Sequence, residues 1–428
     1  NNDGIIQVES GILNIQSSNT NFINGTYNVF TGATMNWNTP VNPSGTLTGT
    51  LAGDLNWNNA VNVVAGTYAA VNFAATDHFN WLGTLSGGGT LTNVNVINFR
   101  VNNSFIINAT TLDNDGVLNF LSSGNLFLNQ NSVLNNLTNG VIDFKSDSNS
   151  LSFNVNPVGI INNSGLIKKS TGMGVSGISP SLNNAGIIDV QSGEIEHTGT
   201  GPFVNQVSGI VQGTGIFDLP AVANFTNNGT FAPGGSPGIL TVQGDYKSEA
   251  SSFIQLEING QTAGTQHDVL NIVGNNITLN GSINVVLGYA PQLNDEFIVV
   301  TTDSIAQCNL PAQVTTDFNG MQYTFSVICN PGNVTLKVTN ITLGTADVVF
   351  ANTKVFPNPT TGTFTIALAE TVPEIQVTVT NMLGQTMMSE RFNNTNMLQL
   401  DLQGSAGMYL VNLNDGQGNA HTIRVVKH

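Results

Sequence analysis

The chain has 428 residues, of which 40% are hydrophobic and only 8% charged, where a soluble globular protein carries roughly 25% charge. Ten basic against 26 acidic side chains give a net charge of −16. That balance excludes binding to a nucleic-acid backbone or an anionic membrane, since either needs a cationic patch. No apolar run approaches the roughly 18–20 residues that span a bilayer, so the chain is not expected to be an integral membrane protein.

The first residue is Asn1 rather than methionine, with no signal-like apolar segment behind it, so processing or truncation of the start is expected. The opening stretch NNDGIIQVESGIL returns at Asn183–Ile195 as NNAGIIDVQSGEI. Weaker copies centre on Gly116, Gly140, Gly165, Gly186, Gly209 and Gly229, spaced by 24, 25, 21, 23 and 20 residues. The first hundred residues keep a similar period in other words. Trp37, Trp57 and Trp81 stand 20 and 24 residues apart, and Gly-Thr-Leu recurs at Gly45, Gly49, Gly83 and Gly89.

A period of 20–25 residues marks a solenoid. The fixed leucine frame of leucine-rich repeats is missing. Each unit instead reads Asn-Asn-x-Gly, a short β-branched run, Ser-Gly or Thr-Gly, and a second apolar run. Gly and Asn accept the backbone angles of tight corners, and alternating Val, Ile and Phe suit half-buried strands. The pattern predicts an all-β, right-handed parallel β-helix over residues 1–238, with about ten coils before residue 235. Equivalent residues on adjacent coils then stack about 4.8 Å apart. Two like charges at that spacing repel by roughly 0.9 kcal/mol even in water, whereas stacked asparagines hydrogen-bond up the ladder. The charge-poor composition follows. Ala185, Asp189, Gln191 and Glu194, which differ between the two best copies, are expected to face water.

Three carboxylate pairs on the rod are candidates for chemistry: Asp113/Asp115, Asp143/Asp147 and Glu194/Glu196. Paired carboxylates serve glycoside hydrolysis at separations of about 5–9.5 Å. A polysaccharide lyase needs a base and a cation to neutralise the sugar carboxylate, and the basic residues of the rod are Arg100, Lys145, Lys168 and Lys169. Each pair reads most simply as a solvated coil edge. Asp113-Asn114-Asp115-Gly116 resembles a fragment of a Ca²⁺ loop without its distant bidentate carboxylate, so no metal or other cofactor is assigned. Trp37, Trp57 and Trp81 form either a buried stack or an exposed strip for sugar rings; Asn-Trp-Asn does not decide between them.

From about residue 232 alternation becomes clear, in SSFIQLEI, HDVLNIV, GSINVVL and DEFIVV, and predicts antiparallel strands. This stretch resembles the C-terminal part of autotransporter and filamentous-haemagglutinin-like passengers, in Pro233–Gly238, Gly244–Tyr246 and Asp268–Val273. The resemblance implies a cap on the rod over residues 239–345. Cys308 and Cys329 pair if the compartment is oxidising, and are otherwise two buried thiols. Asp303-Ser304-Ile305 fits a short O-glycosylation context.

After a linker at 346–353, residues 354–428 carry seven short alternating runs, which suggest a small Ig-like β-sandwich. FPNPTTGTFTI places Pro357, Asn358, Pro359 and Gly362; VTVTNMLGQ ends on Gly384; LDLQGSAGMYLVNL holds Gly407 and Tyr409; the chain stops on a basic strand with Lys427. These four ordered motifs resemble the C-terminal sorting domain of cargo for the type IX secretion system of Bacteroidetes. The resemblance implies a removed signal peptide, passage through the periplasm and recognition by the outer-membrane translocon. The final place would be the cell surface or the medium.

The chain is therefore expected to be a secreted or surface β-helical protein of structural or adhesin type, which binds a glycan or surface without catalysis. The alternative is a β-helical polysaccharide lyase or glycoside hydrolase. Ice binding would need Thr-x-Thr on successive coils, and only Thr48-x-Thr50 and Thr198-x-Thr200 are present.

Overall fold

The computed structural model describes residues 2–16, 20–74, 78–199, 201–219, 224–235, 237–343, 350, 353–415 and 420–428. Thr200, Ser236 and all of the expected linker except Phe350 and Thr353 lie outside them. The chain divides into two compact units, Asn1–Gly288 with Asp295–Val314 and Ser326–Lys337, and Tyr289–Asn294 with Thr315–Phe325 and Val338–His428.

The first unit is a parallel β-helix. Each coil contributes a strand to each of three faces, and one face is a sheet of 13 strands running from Ile12–Ile15 to Ser282–Leu287. Register is kept residue for residue. Val117, Leu118, Asn119 and Phe120 pair with Val141, Ile142, Asp143 and Phe144, which pair in turn with Leu166, Ile167, Lys168 and Lys169. Because side chains alternate across a strand, one parity stacks inward as columns of like residues. Ile97, Leu118, Ile142, Ile167 and Ile188 form one such buried column.

The tryptophans obey the same parity. Trp37, Trp57 and Trp81 share it with Met35, Leu55 and Phe79 and point inward, at 1%, 0% and 0% exposure. Trp37 and Trp57 stack at 5.1 Å between ring centroids. The exposed sugar-binding strip considered from the sequence is thus replaced by a core stack. In Asn-Trp-Asn it is the flanking asparagines that look outward.

A second asparagine set lies inside. The second Asn of Asn-Asn-x-Gly turns into the corner, and Asn93, Asn114, Asn136, Asn163, Asn184, Asn205 and Asn227 form one buried ladder. Each donates Nδ2–H to the Oδ1 of the next at 2.7–2.8 Å. Several also donate to a backbone carbonyl of the following coil, such as Asn114 to Val141 at 3.2 Å. The glycine of the motif now has a cause. A Cβ on Gly209 would meet the Asn205 carboxamide and the Asn184 carbonyl.

One charged residue breaks the inward pattern. Lys169 stands in the column of Phe120, Phe144 and Val190 and is fully buried. Its ammonium donates to Asp147 Oδ1 at 2.8 Å, the Ser146 carbonyl at 3.2 Å and Ser176 Oγ at 3.3 Å. The hydrogen bond from Lys169 holds the Asp147 carboxyl below its ordinary range.

Residues 239–308 depart from the expected antiparallel cap. Ile239–Gln243 pairs in parallel with Val269–Val273, and Phe253–Ile258 with Ser282–Leu287, so coiling continues past residue 238. Alternation marks a strand with one wet face but not its direction, and solenoid strands also have one wet face. Antiparallel pairing begins where Glu296–Thr302 meets Asn333–Leu343. A disulfide joins Cys308 to Cys329.

In the second unit Lys354–Phe356, Thr363–Asn381, Thr386–Asp401, Gly407–Asn414 and Ala420–Lys427 form an antiparallel sheet. The long middle strands contribute to both halves of a core built on Phe364, Ile366, Val377, Val379, Leu400, Val411 and Val425. Phe350 belongs to this core and lies against His421 at 6.1 Å. The packed part therefore reaches into the segment expected to be linker.

Candidate functional site

The carboxylate pairs are absorbed in different ways. Asp113 accepts from Asn135 at 2.8 Å and so ends the outward ladder that runs from Asn183 through Asn162, while Asp115 accepts a single bond from Asn139 at 3.0 Å. Asp143 is buried beneath Lys168 at 3.4 Å and accepts from Ser170 at 2.6 Å, while Asp147 serves Lys169. Among the described residues no group of three or more His, Cys, Asp or Glu could hold a metal ion.

Glu194 and Glu196 gain a neighbour that sequence reading missed. Asp218, one coil on, stands directly beside Glu196 in the parallel register. Burial first, then mutual repulsion, raises the carboxyls of Glu194 and Glu196, and burial raises that of Asp218. Adding one period of 22 residues to Glu196 would have found it.

The outward face above the tryptophan stack is more varied. Asn36 donates to Asn14 at 2.9 Å, Asn56 to Asn36 at 2.9 Å and Asn80 to Asn56 at 2.8 Å. Alongside, Asn58 donates to Asn38 at 2.7 Å. The same sheet carries His78, whose Nδ1 lies 2.8 Å from Asp54 Oδ1, and Arg100, whose Nε donates to Asn80 at 2.7 Å. Amides, an imidazole–carboxylate pair and a guanidinium thus share one face. The His78–Asp54 pair also escaped the sequence, because its members are 24 residues apart in the chain and adjacent only across coils.

Clefts also lie elsewhere on the rod. One of about 300 Å³ is lined by Asn28, Val29, half-exposed Phe30, Thr50 and Ala52. Another of about 280 Å³ is lined by Gln212, Gly234, Gln255, Glu257 and Asp268 among others. Asp268 is buried there and accepts backbone N–H bonds from Gly238 and Glu257, each at 2.7 Å. It clasps Gly238 to the strand Phe253–Ile258. Burial pushes its carboxyl up to about 6, against the pull of those two amides.

In the second unit the motif residues gather around the final strand. Asn358, between Pro357 and Pro359, donates Nδ2–H to the Arg424 carbonyl at 2.9 Å and accepts from Val426 N–H at 2.9 Å. Lys427 donates to the Leu402 and Gly404 carbonyls, both at 2.8 Å, and Tyr409 donates to the Ser405 carbonyl at 2.7 Å. Leu402 N–H donates to the Gly362 carbonyl at 3.0 Å. Gly384 has φ +75° in the tight turn after Asn381, and Gly407 opens the strand that pairs with Lys427.

Two similarities to known proteins accompany this geometry. Residues 354–428 match the family of the secretion system C-terminal sorting domain. An endo-acting ulvan lyase of Formosa agariphila is 31% identical over 80 residues, covering 18% of this chain and 15% of that protein. The chain thus spans a small fraction of that relative's length. No helix of the described residues is long and apolar enough to cross a membrane.

Proposed function

We propose that this β-helical cargo, exported by type IX secretion to the cell surface or the extracellular space, is an adhesin-like rod that binds glycans without transforming them. The observation that carries the reading is the outward asparagine face of Asn14, Asn36 and Asn56 with Asn38 and Asn58, continued inward by the buried Asn80. It is a periodic row of amides set on a rigid aromatic core, and amides suit sugar hydroxyls without requiring charge. Binding of the full chain to a panel of neutral and acidic polysaccharides tests it. An Asn36→Ala/Asn56→Ala double variant should weaken retention about tenfold, which corresponds to roughly 1.4 kcal/mol. Wild-type retention by that variant would remove the reading.

A second reading, polysaccharide lyase, is favoured by His78 and Arg100. A β-eliminating enzyme needs a base to take the proton beside a uronate carboxylate and groups to neutralise that carboxylate. His78, oriented by Asp54, would be the base, and Arg100 with the Asn56 and Asn80 amides would face the carboxylate. The ulvan lyase similarity supports this reading only weakly, since its 80 residues are close to the length of the sorting-domain match. Unsaturated products released from an acidic polysaccharide, and abolished by His78→Ala, would establish catalysis in place of simple binding.

A further inference from the structure

The column that starts at Asn14, Asn36 and Asn56 keeps its register along the rod. Asn80 pairs with Asn98, and the line continues through Asn119, Asp143, Lys168 and Asp189 to Gln212, six coils from Asn80. Every one of these positions carries a side chain that hydrogen-bonds. The next does not. Ala232 pairs with Gln212, and Phe231 pairs with Ile254, which sets Gln255 on the far side of Ala232. Phe231 is buried, so by alternation Ala232 looks outward. A methyl group between two long carboxamides leaves a notch, and the cleft of about 280 Å³ opens there.

The notch is polar and firmly built. Gln212 and Gln255 bound it along the rod, and Glu257 and Asp268 line it as well. Asp268 is 2% exposed, and each of its oxygens accepts one backbone N–H, from Gly238 and from Glu257. A carboxylate oxygen has a second lone pair, so each keeps acceptor capacity. One wall is bare backbone at Gly234 and Gly235, and a Cβ on Gly235 would meet nothing within 4 Å. Among the described residues the lining holds no cation. Carboxamides that donate and accept, set beside carboxyl oxygens, suit the hydroxyls of a neutral sugar, whereas the carboxyls repel a uronate or a sulfate. The volume lies at the small end of ligand sites, which start at roughly 300 Å³, and so suits one sugar ring.

We propose that the notch at Ala232 is a subsite that takes one neutral sugar residue of a glycan lying along this face of the rod. The inference rests on the glycan-binding reading and adds to it a second contact, roughly 30 Å beyond Asn80 at about 4.8 Å per coil. The full chain is titrated by calorimetry with hexaoses of β-1,4-linked glucose and of β-1,4-linked mannose, and with hexagalacturonate as the acidic probe. The proteins are wild type, Ala232→Gln, Ala232→Ser, Gln255→Ala and Asn36→Ala/Asn56→Ala, each checked by thermal unfolding. Ala232→Gln fills the notch with the side chain that already flanks it, so it should unfold as wild type and bind a neutral hexaose at least about tenfold more weakly. Ala232→Ser leaves the notch open and should bind within about twofold of wild type. Gln255→Ala should weaken binding in the same direction as Ala232→Gln. Wild-type affinity in both Ala232→Gln and Gln255→Ala would overturn the subsite; loss of affinity in Asn36→Ala/Asn56→Ala would then leave the glycan reading standing without it. Tighter binding of hexagalacturonate than of either neutral hexaose, removed by Ala232→Gln, would overturn the neutral class. Failure of the wild type to bind any hexaose would overturn the subsite, and retention on the polysaccharide panel would decide the wider reading by itself.

Discussion

Asn227 donates its side-chain N–H to the hydroxyl of Tyr246 at 3.1 Å, and Tyr246 is fully buried. That bond ends the internal asparagine ladder, and it gives the tyrosine of Gly244–Tyr246 a role: it accepts the last donor of a chain that began at Asn93. Burial raises the Tyr246 hydroxyl well above its ordinary value, so it stays a neutral partner at every working pH.

The ladder predicts an asymmetric response to substitution. Asn184→Ala removes the acceptor of Asn163 and the donor to Asn205. Leaving a buried polar group unmet costs about 1–3 kcal/mol, so this variant should lose about 2–5 kcal/mol in urea unfolding. Asn183→Ala, one residue earlier on the outward face and bonded to Asn162 at 3.0 Å, should lose less than about 1 kcal/mol, as solvent takes over its bond. Equal losses would mean that the ladder does not support the rod.

Lys169 predicts a different outcome. Its column neighbours are Phe144 and Val190, so Lys169→Met should fit the same space and change stability by less than about 1.5 kcal/mol, as volume-conserving and ion-pair replacements do. Asp147→Ala in the native background should destabilise more than Lys169→Met, because it leaves a buried ammonium with only Ser146 and Ser176. Asp147→Ala made on top of Lys169→Met should then have little effect. A double-mutant cycle by thermal unfolding reads all three.

The coil period was legible from glycine and tryptophan spacing, and the tail from its four motifs. Three things were not. Whether Trp57 faced in or out depended on parity relative to Leu55, which is legible only once strand and corner are separated. The pairs His78–Asp54 and Glu196–Asp218 are neighbours only through the register, one coil of 24 and of 22 residues apart, so neither shows as a local motif along the chain. Strand direction past Ile239 escaped because alternation reports burial of one face and nothing about the partner strand.

Trp57 makes the buried stack testable. It lies between Trp37 at 5.1 Å and Phe79 at 5.0 Å and is 0% exposed. Trp57→Ala should cost about 3–5 kcal/mol by loss of buried area and the cavity left behind. Its indole fluorescence should be blue-shifted in the native protein and insensitive to polysaccharide. Quenching of Trp57 by an aqueous quencher in the folded protein would contradict the core placement.

The buried carboxyls set the sign of the pH dependence. Glu194, Glu196, Asp218 and Asp268 all have carboxyls raised above their unfolded values, chiefly by burial. A group raised on folding binds its proton more tightly in the native state, so stability rises as pH falls through the window between the two values. For Asp268 that window runs from 3.8 to about 6, and its penalty is present in full above pH 6. Asp147, held low by Lys169, acts oppositely, its contribution being lost as pH falls through its native value. The protein should therefore resist urea better at pH 5 than at pH 7.5. Asp218→Asn should stabilise it at pH 7.5 by removing a charge beside Glu196, and that gain should shrink as pH falls and the Asp218 carboxyl, raised by burial, takes up its proton. A gain that persisted unchanged at pH 4 would show that the effect is packing and not charge.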